Sequence, residues 1–388
     1  MISTLKKSRI ILMSYPVLGL LMAAAPTLGT MEEDLSALLE SARVEMELPG
    51  LRAAVRFGNG EIVSASVGLA DREAGIPLDN QAPMPGGSTG KTYVAAVAML
   101  LVEEEVLALD DLASRWLKDK EWFGDLPNAN EIQVRHLLSH SSGLSDYPGT
   151  RGYTLASIWR ALRRGSIHFE PEELIRFTLK KKPLFPVGEG YSYTDIGYLV
   201  LGKLIEEATG EKYYDLVREK ILEAHGLNEI VLQDRSILPD VVTGYMRGAP
   251  NLREDGSMKM DPSSEWTGGG LATNPTMLVS FLGLLAQGEI VSQDSLDQMV
   301  NSGWRDSATP NVHYGLGLFV YNDGKAFGHA GLWPGYRTDM LHYAPSNVSI
   351  AIQTNRDGSV DTGELVRRIA NLVNADEPKP EETPSTHP

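Results

Sequence analysis

The apolar positions of this chain follow a strand-like spacing near both ends and a helical spacing in between. An amphipathic stretch comes first, and two β-like runs then flank Gly58-Asn59-Gly60, a hairpin signal. A glycine-rich segment, Gly86–Lys91, leads into an Ala-rich helix that ends near Val106. This part therefore predicts a helix at 32–46, strands at 51–57 and 61–69, and a helix that begins near residue 88.

The middle of the chain is mostly helical, and the C-terminal part returns to strands. After the glycine triplet 268–270, one more helix precedes a β-rich stretch and a closing helix. The predicted helices are 134–140, 154–164, 172–180, 196–209, 213–224, 276–286 and 361–374. The predicted strands are 314–321, 326–329, 338–343 and 348–354.

This order of elements predicts an α+β fold. An antiparallel sheet built from both chain ends is flanked by helices, and an all-helical lobe is inserted between its two parts. We assign one folded domain to residues 31–375, with an α/β lobe at 31–107 and 265–375 and a helical lobe at 108–264. A site at the seam of the lobes would draw residues from all three parts of the chain.

Both ends of the chain differ in composition from this domain. Residues 1–25 have the pattern of a bacterial signal peptide, with a basic start, an apolar run and the small-residue site Ala23-Ala24-Ala25. We therefore expect a periplasmic or secreted protein, with an uncleaved membrane tether as the alternative. Residues 376–388 are rich in Pro, Glu and Thr, which predicts a disordered tail.

Composition excludes several functions. The net charge is −16 and the calculated pI is near 5.0, which does not suit a nucleic-acid backbone, so we expect no nucleic-acid partner. The chain has no cysteine, and this excludes disulfides, thiolate catalysis and zinc–cysteine sites.

The strongest chemical signal is Ser88-x-x-Lys91 at the start of the Ala-rich helix. Three residues apart on a helix, the two side chains share one face, and a lysine with a lowered pKa can activate a serine hydroxyl. The helix start also offers the Ser88 N–H to an oxyanion. The alternative is a nucleotide-binding P-loop, but Pro85 stands where that loop has its first glycine and no clear strand precedes it.

Three other stretches could complete a site. Tyr193 could transfer a proton, or it could only pack with its hydroxyl in water. Backbone N–H groups in Gly328–Gly335 could bind an oxyanion, or the glycines could mark a bulge beside a structural histidine. His136 and His140 are four residues apart, but Leu137 stands where a metalloprotease motif has glutamate, so we expect structural roles and no metal.

Taken together and in order, these stretches resemble the motifs of the serine β-lactamase and D-alanyl-D-alanine carboxypeptidase superfamily. The closest likeness is to its class C β-lactamase-like branch, which includes D-amino-acid peptidases and esterases. The matching motifs are Ser88-x-x-Lys91, His136-Leu-Leu-Ser-His140-Ser-Ser-Gly143-Leu144, Tyr193-Thr-Asp195 with Gly197-Tyr198, and His329-Ala-Gly331 with Gly335. The likeness runs from about Asp34 to Val373 and implies a β-lactamase/transpeptidase-like fold.

The resemblance also implies a secreted serine hydrolase that works through an acyl-enzyme. Ser88 would be the nucleophile, Lys91 its base and Tyr193 a proton relay, while the N–H groups of Ser88 and Leu332 would form the oxyanion hole. His329 would replace a lysine common in this family, lining the site and tuning Tyr193. The residues expected to contact the substrate are Asp195, His329, Ala330, Gly331 and Trp333. The family needs no metal or organic cofactor, so we expect none.

Departures from the family pattern bear on the substrate. Asp195 replaces the usual Asn, and it could raise the pKa of Lys91 or bind a substrate amine. Gly90 replaces a common Thr and would loosen the first helical turn. Ala330 and Leu332 lack the hydroxyls that hold a substrate carboxylate in relatives. We therefore expect small esters or D-amino-acid amides or peptides as substrates. The alternatives are a non-catalytic penicillin-binding-like protein and a β-lactamase or DD-carboxypeptidase that acts on cell-wall peptides.

Overall fold

The structure, a computed structural model, describes residues 28–373. Its central element is an eight-stranded antiparallel sheet. The strands of this sheet are β1 (Gly50–Arg56), β2 (Ile62–Asp71), β3 (Ile76–Pro77), β9 (Val312–Tyr314), β10 (Phe319–Tyr321), β11 (Ala326–Trp333), β12 (Tyr336–Tyr343) and β13 (Val348–Thr354). Their order in the sheet is β3-β2-β1-β13-β12-β11-β10-β9, so strands from the two chain ends meet where β1 pairs with β13. The predicted signal peptide and tail lie outside the described residues.

Helices cover both faces of the sheet. Helices α1 (Leu28–Glu45) and α11 (Thr362–Leu372) pack on one face, and α9 (Pro275–Ala286) packs on the other. Successive strand residues point to opposite faces of the sheet. Ala53 and Ile352 therefore pack in the apolar cluster under α1 and α11, whereas Ala54 and Ala351 pack in the cluster that contains α9. This burial on both faces explains why the centres of β1 and β13, residues 53–55 and 350–352, are apolar without alternation.

The middle of the chain supplies a second group of helices around α2 (Gly90–Glu103). Nearly every side chain of α2 is buried, which is why its sequence is apolar all round. The other helices are α3 (Ser114–Leu117), α4 (Val134–Leu138), α5 (Arg151–Arg164), α6 (Pro171–Arg176), α7 (Asp195–Thr209), α8 (Tyr213–Val217) and α10 (Gln293–Asn301). A π-helical stretch, Arg218–Glu223, continues α8.

Short strands link this group to the sheet. Strand β4 (Met84–Pro85) pairs with β8 (Leu271–Thr273), which pairs with β5 (Val231–Leu232). Strand β6 (Tyr245–Met246) pairs with β7 (Ala249–Pro250). The β4–β8 pair brings Gly86 against Leu271, where the Gly86 N–H donates to the Leu271 carbonyl over 2.8 Å. It therefore holds the Ser88 segment beside the glycine triplet 268–270.

The structure confirms the predicted α+β fold, and most predicted elements are present. The predicted strand 314–321 is wrong, because residues 315–318 leave the sheet and separate β9 from β10. Strand β11 extends four residues beyond the predicted 326–329, to Trp333. Helices α3 and α10 and the short strands β3 to β8 were not predicted, and β4 lies directly before the Ser88 segment, where the sequence showed no clear strand. Among the described residues, no helix is both long and apolar enough to cross a membrane.

Candidate active site

Ser88 lies in a tight turn pressed against β11. A 3₁₀ turn, Gly87–Thr89, runs directly into α2, and Gly87 has a φ of 56°, which favours glycine. A Cβ on Gly87 would lie 2.6 Å from the Leu332 nitrogen, and one on Gly331 would lie 1.9 Å from the Gly86 oxygen. The absence of both side chains lets the backbones of the turn and β11 touch. The Ser88 and Leu332 N–H groups that we predicted for the oxyanion hole therefore lie on two backbone segments that are in contact.

Lys91 is buried with its ammonium group at the centre of the site. Its Nζ donates to Ser88 Oγ over 3.2 Å, to Asp195 Oδ1 over 2.6 Å and to the Gly268 carbonyl over 2.5 Å. Burial alone would lower the pKa of Lys91, but the negative charge of Asp195 outweighs it and raises the pKa above its usual value. All three protons of an ammonium group are thus engaged, and the resting lysine is a cation.

Gly90 and Gly269 explain how the Gly268 carbonyl reaches Lys91. A Cβ on Gly90 would lie 1.9 Å from the Gly269 oxygen, so no larger residue fits without moving this loop. We predicted that Gly90 loosens the first turn of the helix. In the structure it instead allows backbone contact between α2 and the glycine triplet.

Tyr193 contacts both Lys91 and His140. The Lys91 Nζ is 5.0 Å from the Tyr193 ring centroid, and the His140 ring centroid is 4.2 Å from it. Within residues 28–373 the Tyr193 hydroxyl is buried without a hydrogen-bond partner. Burial raises its pKa, and the nearby Lys91 charge only partly offsets this effect. The hydroxyl is therefore protonated at neutral pH, and it lies close to both Ser88 and Lys91.

Two acidic residues that the sequence did not indicate join Asp195 beside Lys91. Asp146 Oδ2 accepts the Asp195 backbone N–H over 3.2 Å, and burial together with the Asp195 charge raises the Asp146 pKa to about 6. Burial raises the Glu265 pKa to about 8. A Cβ on Gly269 would lie 2.2 Å from Glu265 Oε1, which places this carboxyl beside the glycine triplet. We call Asp146, Asp195 and Glu265 the acidic wall.

The opposite side of the site, built by β9 to β11, is uncharged. His329 Nε2 accepts from the Tyr314 hydroxyl over 2.9 Å, and Nδ1 donates to the Ala330 carbonyl over 2.6 Å. Burial and the Lys91 charge lower the His329 pKa to about 3, so the ring is neutral. The Phe319 ring lies 5.1 Å from it, and the Leu332 side chain is exposed nearby along β11. We call Tyr314, Phe319, His329 and Leu332 the neutral wall.

The bonds of His329 correct the prediction that it tunes Tyr193. Both ring nitrogens are engaged elsewhere, and the two ring centroids are 6.2 Å apart. His140 contacts Tyr193 instead. It has a φ of 55° directly after α4, and its Nδ1 accepts the Thr194 N–H over 3.3 Å. Its expected structural role at this helix end agrees with the geometry.

Trp333 does not lie where the sequence suggested. Beyond Gly328, exposed residues alternate with buried ones along β11, with Ala330 and Leu332 exposed. Trp333 falls on the buried set and packs with apolar residues such as Met84 and Tyr336. This packing gives no support to the prediction that its side chain contacts the substrate.

A possible cation for the neutral wall is also directed elsewhere. Arg337 is opposite Leu332 in the β11–β12 register, but it donates to the Gly358 carbonyl over 2.8 Å, on the β13 side. It therefore turns away from β11.

The structure contradicts the P-loop alternative and gives no sign of a metal centre. All three Lys91 protons bond protein oxygens, and Thr92 Oγ1 donates to the Gly317 carbonyl, so neither side chain is available to a nucleotide. In the part of the chain from 28 to 373, no three His, Asp or Glu side chains cluster in a way that could hold a metal ion.

Comparisons with known proteins agree with this arrangement. The family profile described as Beta-lactamase matches residues 35–374. Penicillin-binding protein 4* of Bacillus subtilis is 26% identical over 325 residues, which cover 79% of this chain and 68% of that protein. The D-aminopeptidase of Brucella ovis is 27% identical over 334 residues, 83% of this chain and 59% of that protein.

Two further similarities point the same way. Esterase EstB of Burkholderia gladioli is 32% identical over half of each chain. This chain thus spans between half and about two thirds of these curated relatives. The solved D-stereospecific amidohydrolase from Streptomyces sp. has a TM-score of 0.74 at 23% identity, covering 88% of this chain and 98% of that one. This last likeness shows a common fold.

Proposed function

Because the chain belongs to the beta-lactamase family of serine hydrolases, we propose that it forms an acyl-enzyme at Ser88 and cleaves small D-amino-acid amides, peptides or esters that carry a free amine. The observation that carries this proposal is the pair of unlike walls around Ser88. The acidic wall favours an ammonium group, and the neutral wall has no charge to offer a carboxylate. Relatives named D-aminopeptidase and esterase support the same substrate classes.

In the proposed reaction, the substrate helps to prepare the base. Its ammonium group, placed against the acidic wall, adds positive charge beside Lys91, and a second positive charge lowers the pKa of a lysine. The Asp195 carboxylate, with Oδ1 2.6 Å from Nζ, is basic enough to take the released proton, which the amide carbonyl of Gly268 is not. The neutral Lys91 then accepts the Ser88 proton as Oγ attacks the carbonyl.

The remaining steps use groups already gathered around Ser88. The N–H groups of Ser88 and Leu332 would hold the oxyanion. Tyr193 would give its proton to the leaving amine or alcohol and take one from Lys91, which leaves an acyl group on Ser88. The same pair would then take a proton from water as the water oxygen attacks the acyl-enzyme ester. That proton would pass to Ser88 Oγ as the carboxylic acid product leaves, and Asp195 would return its proton to Lys91.

The experiment that tests this function compares the parent protein with Ser88→Ala. The substrates are D-alanine p-nitroanilide, its N-acetyl derivative, p-nitrophenyl butyrate and nitrocefin. We expect serine-dependent turnover, at least about tenfold faster for the free amine than for the acetylated form, since one charge-assisted contact is worth about 1.5–3 kcal/mol. Equal rates in parent and Ser88→Ala would contradict the proposal.

A second measurement separates catalysis from binding alone. A fluorophosphonate probe should add one covalent group to the parent protein, located at Ser88 by mass spectrometry, and none to Ser88→Ala. An unmodified parent would favour the non-catalytic penicillin-binding-like alternative. Nitrocefin as the best substrate would favour a β-lactamase, which the neutral wall argues against.

Small esters without an amine are a second candidate. The half-chain likeness to esterase EstB and the apolar Phe319 and Leu332 side chains favour it. Equal turnover of p-nitrophenyl butyrate and the free-amine substrate would support this specificity over the amine requirement.

Export stays a proposal that rests on the first 25 residues. We propose that the mature protein acts in the periplasm or outside the cell. Fractionation of the producing cell, with N-terminal sequencing of the recovered protein, tests this. A cytoplasmic protein with an intact N-terminus would contradict it.

A further inference from the structure

Helix α5 turns an apolar stripe outward. Its side chains Leu155, Ile158, Trp159 and Leu162 are 51 to 83% exposed. They are spaced three and four residues apart, so they lie along one face of the helix. Large apolar side chains in a continuous exposed row are uncommon on a soluble surface and mark interaction sites.

The opposite face of α5 holds the helix to the protein. The Tyr153 ring packs 5.2 Å from Phe169, and the Arg160 guanidinium lies 3.9 Å over that same ring and bonds Glu173. Among the side chains of α5 that the structure describes, none is fully buried. The helix is thus amphipathic with its more apolar side directed away from the protein.

Positive charge accompanies the stripe. Residues 151–182 contain eight Arg or Lys and three Glu, in a chain whose net charge is −16. The Arg163 guanidinium lies 5.5 Å over the Trp159 ring, at the edge of the stripe, and Arg151 is exposed at its N-terminal end. The basic loop 180–182 begins three residues after Phe177, whose ring is 5.9 Å from Tyr153.

We propose that α5 is an interfacial helix that docks this face of the protein on an anionic lipid membrane. An amphipathic helix with Trp and Leu on one side and Arg at the edges fits the boundary between lipid tails and charged headgroups. A symmetric contact with a second copy would bring the Arg residues of both helices together, and like charges oppose it. Positive charge on an acidic protein also orients this face toward an anionic surface.

Docking here would place the membrane near the active site. The Tyr153 ring lies 4.8 Å from the ring of Tyr147, and Tyr147 directly follows Asp146 of the acidic wall. Substrates held at a membrane surface would therefore be close to the acidic wall. This docking does not depend on the proposed reaction and can be tested in its absence.

The absence of cysteine permits a local test on the full chain. Leu162→Cys, labelled with an environment-sensitive fluorophore, is mixed with vesicles of phosphatidylcholine alone or with an equal part of phosphatidylglycerol. Val44→Cys, exposed on α1, is the matched control. We expect a blue-shifted, brighter signal at position 162 only with anionic vesicles, and its reversal by high salt. Because each label reports its own surroundings, membrane binding by another segment does not imitate this result.

A charge reversal tests the basic edge in the same labelled protein. Arg163→Glu should weaken the apparent vesicle affinity by about tenfold, whereas Arg367→Glu on α11 should leave it nearly unchanged. An unchanged signal at position 162 with anionic vesicles, or an equal rise at position 44, would overturn the proposal. A signal at 162 that grows with protein concentration without vesicles would also overturn it, in favour of a second copy as the occupant.

Discussion

The two walls around Ser88 differ in charge, and this difference indicates the substrate. The acidic wall surrounds Lys91 with Asp146, Asp195 and Glu265, two of which have raised pKa values. The neutral wall contains His329, which is uncharged because burial lowers its pKa to about 3. A substrate that enters between them gains by placing a cation on one side and uncharged atoms on the other.

The walls also differ in how they are assembled. Most of the neutral wall lies on strands β9 to β11, which are neighbours both in the sheet and along the chain. One continuous stretch of sequence, residues 314–332, therefore contains it. The acidic wall joins a loop after α4, the first residue of α7 and the loop before β8. Removing each acidic side chain from water costs free energy, and attraction to the Lys91 ammonium offsets part of that cost. The acidic wall is therefore the more vulnerable side of the site.

Removal of Lys91 should have the largest effect. In Lys91→Met, Ser88 loses its base and the acidic wall loses its counter-charge. We expect kcat/KM to fall by about 10³-fold or more, with a lower melting temperature. Lys118→Met, on the exposed surface, is the control and should behave like the parent. Retention of even a tenth of the activity by Lys91→Met would exclude lysine as the base.

Asp146→Asn should weaken selection for the amine. The amide keeps an oxygen that can accept the Asp195 N–H, but it removes a buried charge. The preference for D-alanine p-nitroanilide over its N-acetyl form should fall about tenfold, mainly through KM. Asp119→Asn, an exposed substitution, controls for a general change in charge. An unchanged preference would assign the amine to another part of the site.

Asp195→Asn should move the pH profile. Asp195 raises the pKa of Lys91, and the base must be unprotonated, so activity rises with pH as Lys91 loses its proton. Without the carboxylate the Lys91 pKa falls, and the acid limb of kcat should shift by about one to two pH units to lower pH. Hydrolysis of nitrocefin should also increase if this carboxylate is what repels carboxylate substrates. A shift to higher pH would contradict the ion-pair argument.

The neutral wall can be tested by adding the charge it lacks. Leu332→Arg keeps the backbone N–H but supplies an exposed guanidinium. Turnover of substrates with a free carboxylate, such as nitrocefin, should rise about threefold, in line with an exposed ion pair. Leu332→Gln, similar in polarity but uncharged, is the control. Equal gains in both variants would mean that polarity, and not charge, limits these substrates.

Local spacing predicted the centre of the site, and long-range packing determined its surroundings. Ser88 and Lys91 are neighbours because one helical turn joins them, so their contact can be deduced from sequence. Asp146 and Glu265 carry no comparable local signal, since they reach Lys91 only through tertiary folding. Trp333 is covered by apolar residues such as Met84 and Tyr336, which come from distant parts of the chain, so its sequence position could not indicate this packing. Gly90 was taken as a loose helical residue because its partner Gly269 is far away in the chain.

The smallest predicted effect is a pH-dependent change in melting temperature on replacing Glu265 by Gln, which has nearly the same shape but cannot ionise. Its folded pKa of about 8 lies above that of an unfolded glutamate, so the folded state binds this proton more tightly. Its contribution to stability is complete below about pH 4.5 and is lost as pH rises toward 8, because ionisation then favours the unfolded chain.

Gln233 Oε1 and Glu265 Oε2 are both buried without partners in residues 28–373, and a neutral Glu265 can donate where a carboxylate cannot. Glu265→Gln should therefore match the parent at pH 5 and melt about 2–4 °C higher at pH 8. Asp146 and Asp339 also have raised pKa values, but they are present in both proteins and cancel in the difference. The same difference in melting temperature at both pH values would show that Glu265 ionises normally, and the acidic wall would then carry one more negative charge than we infer.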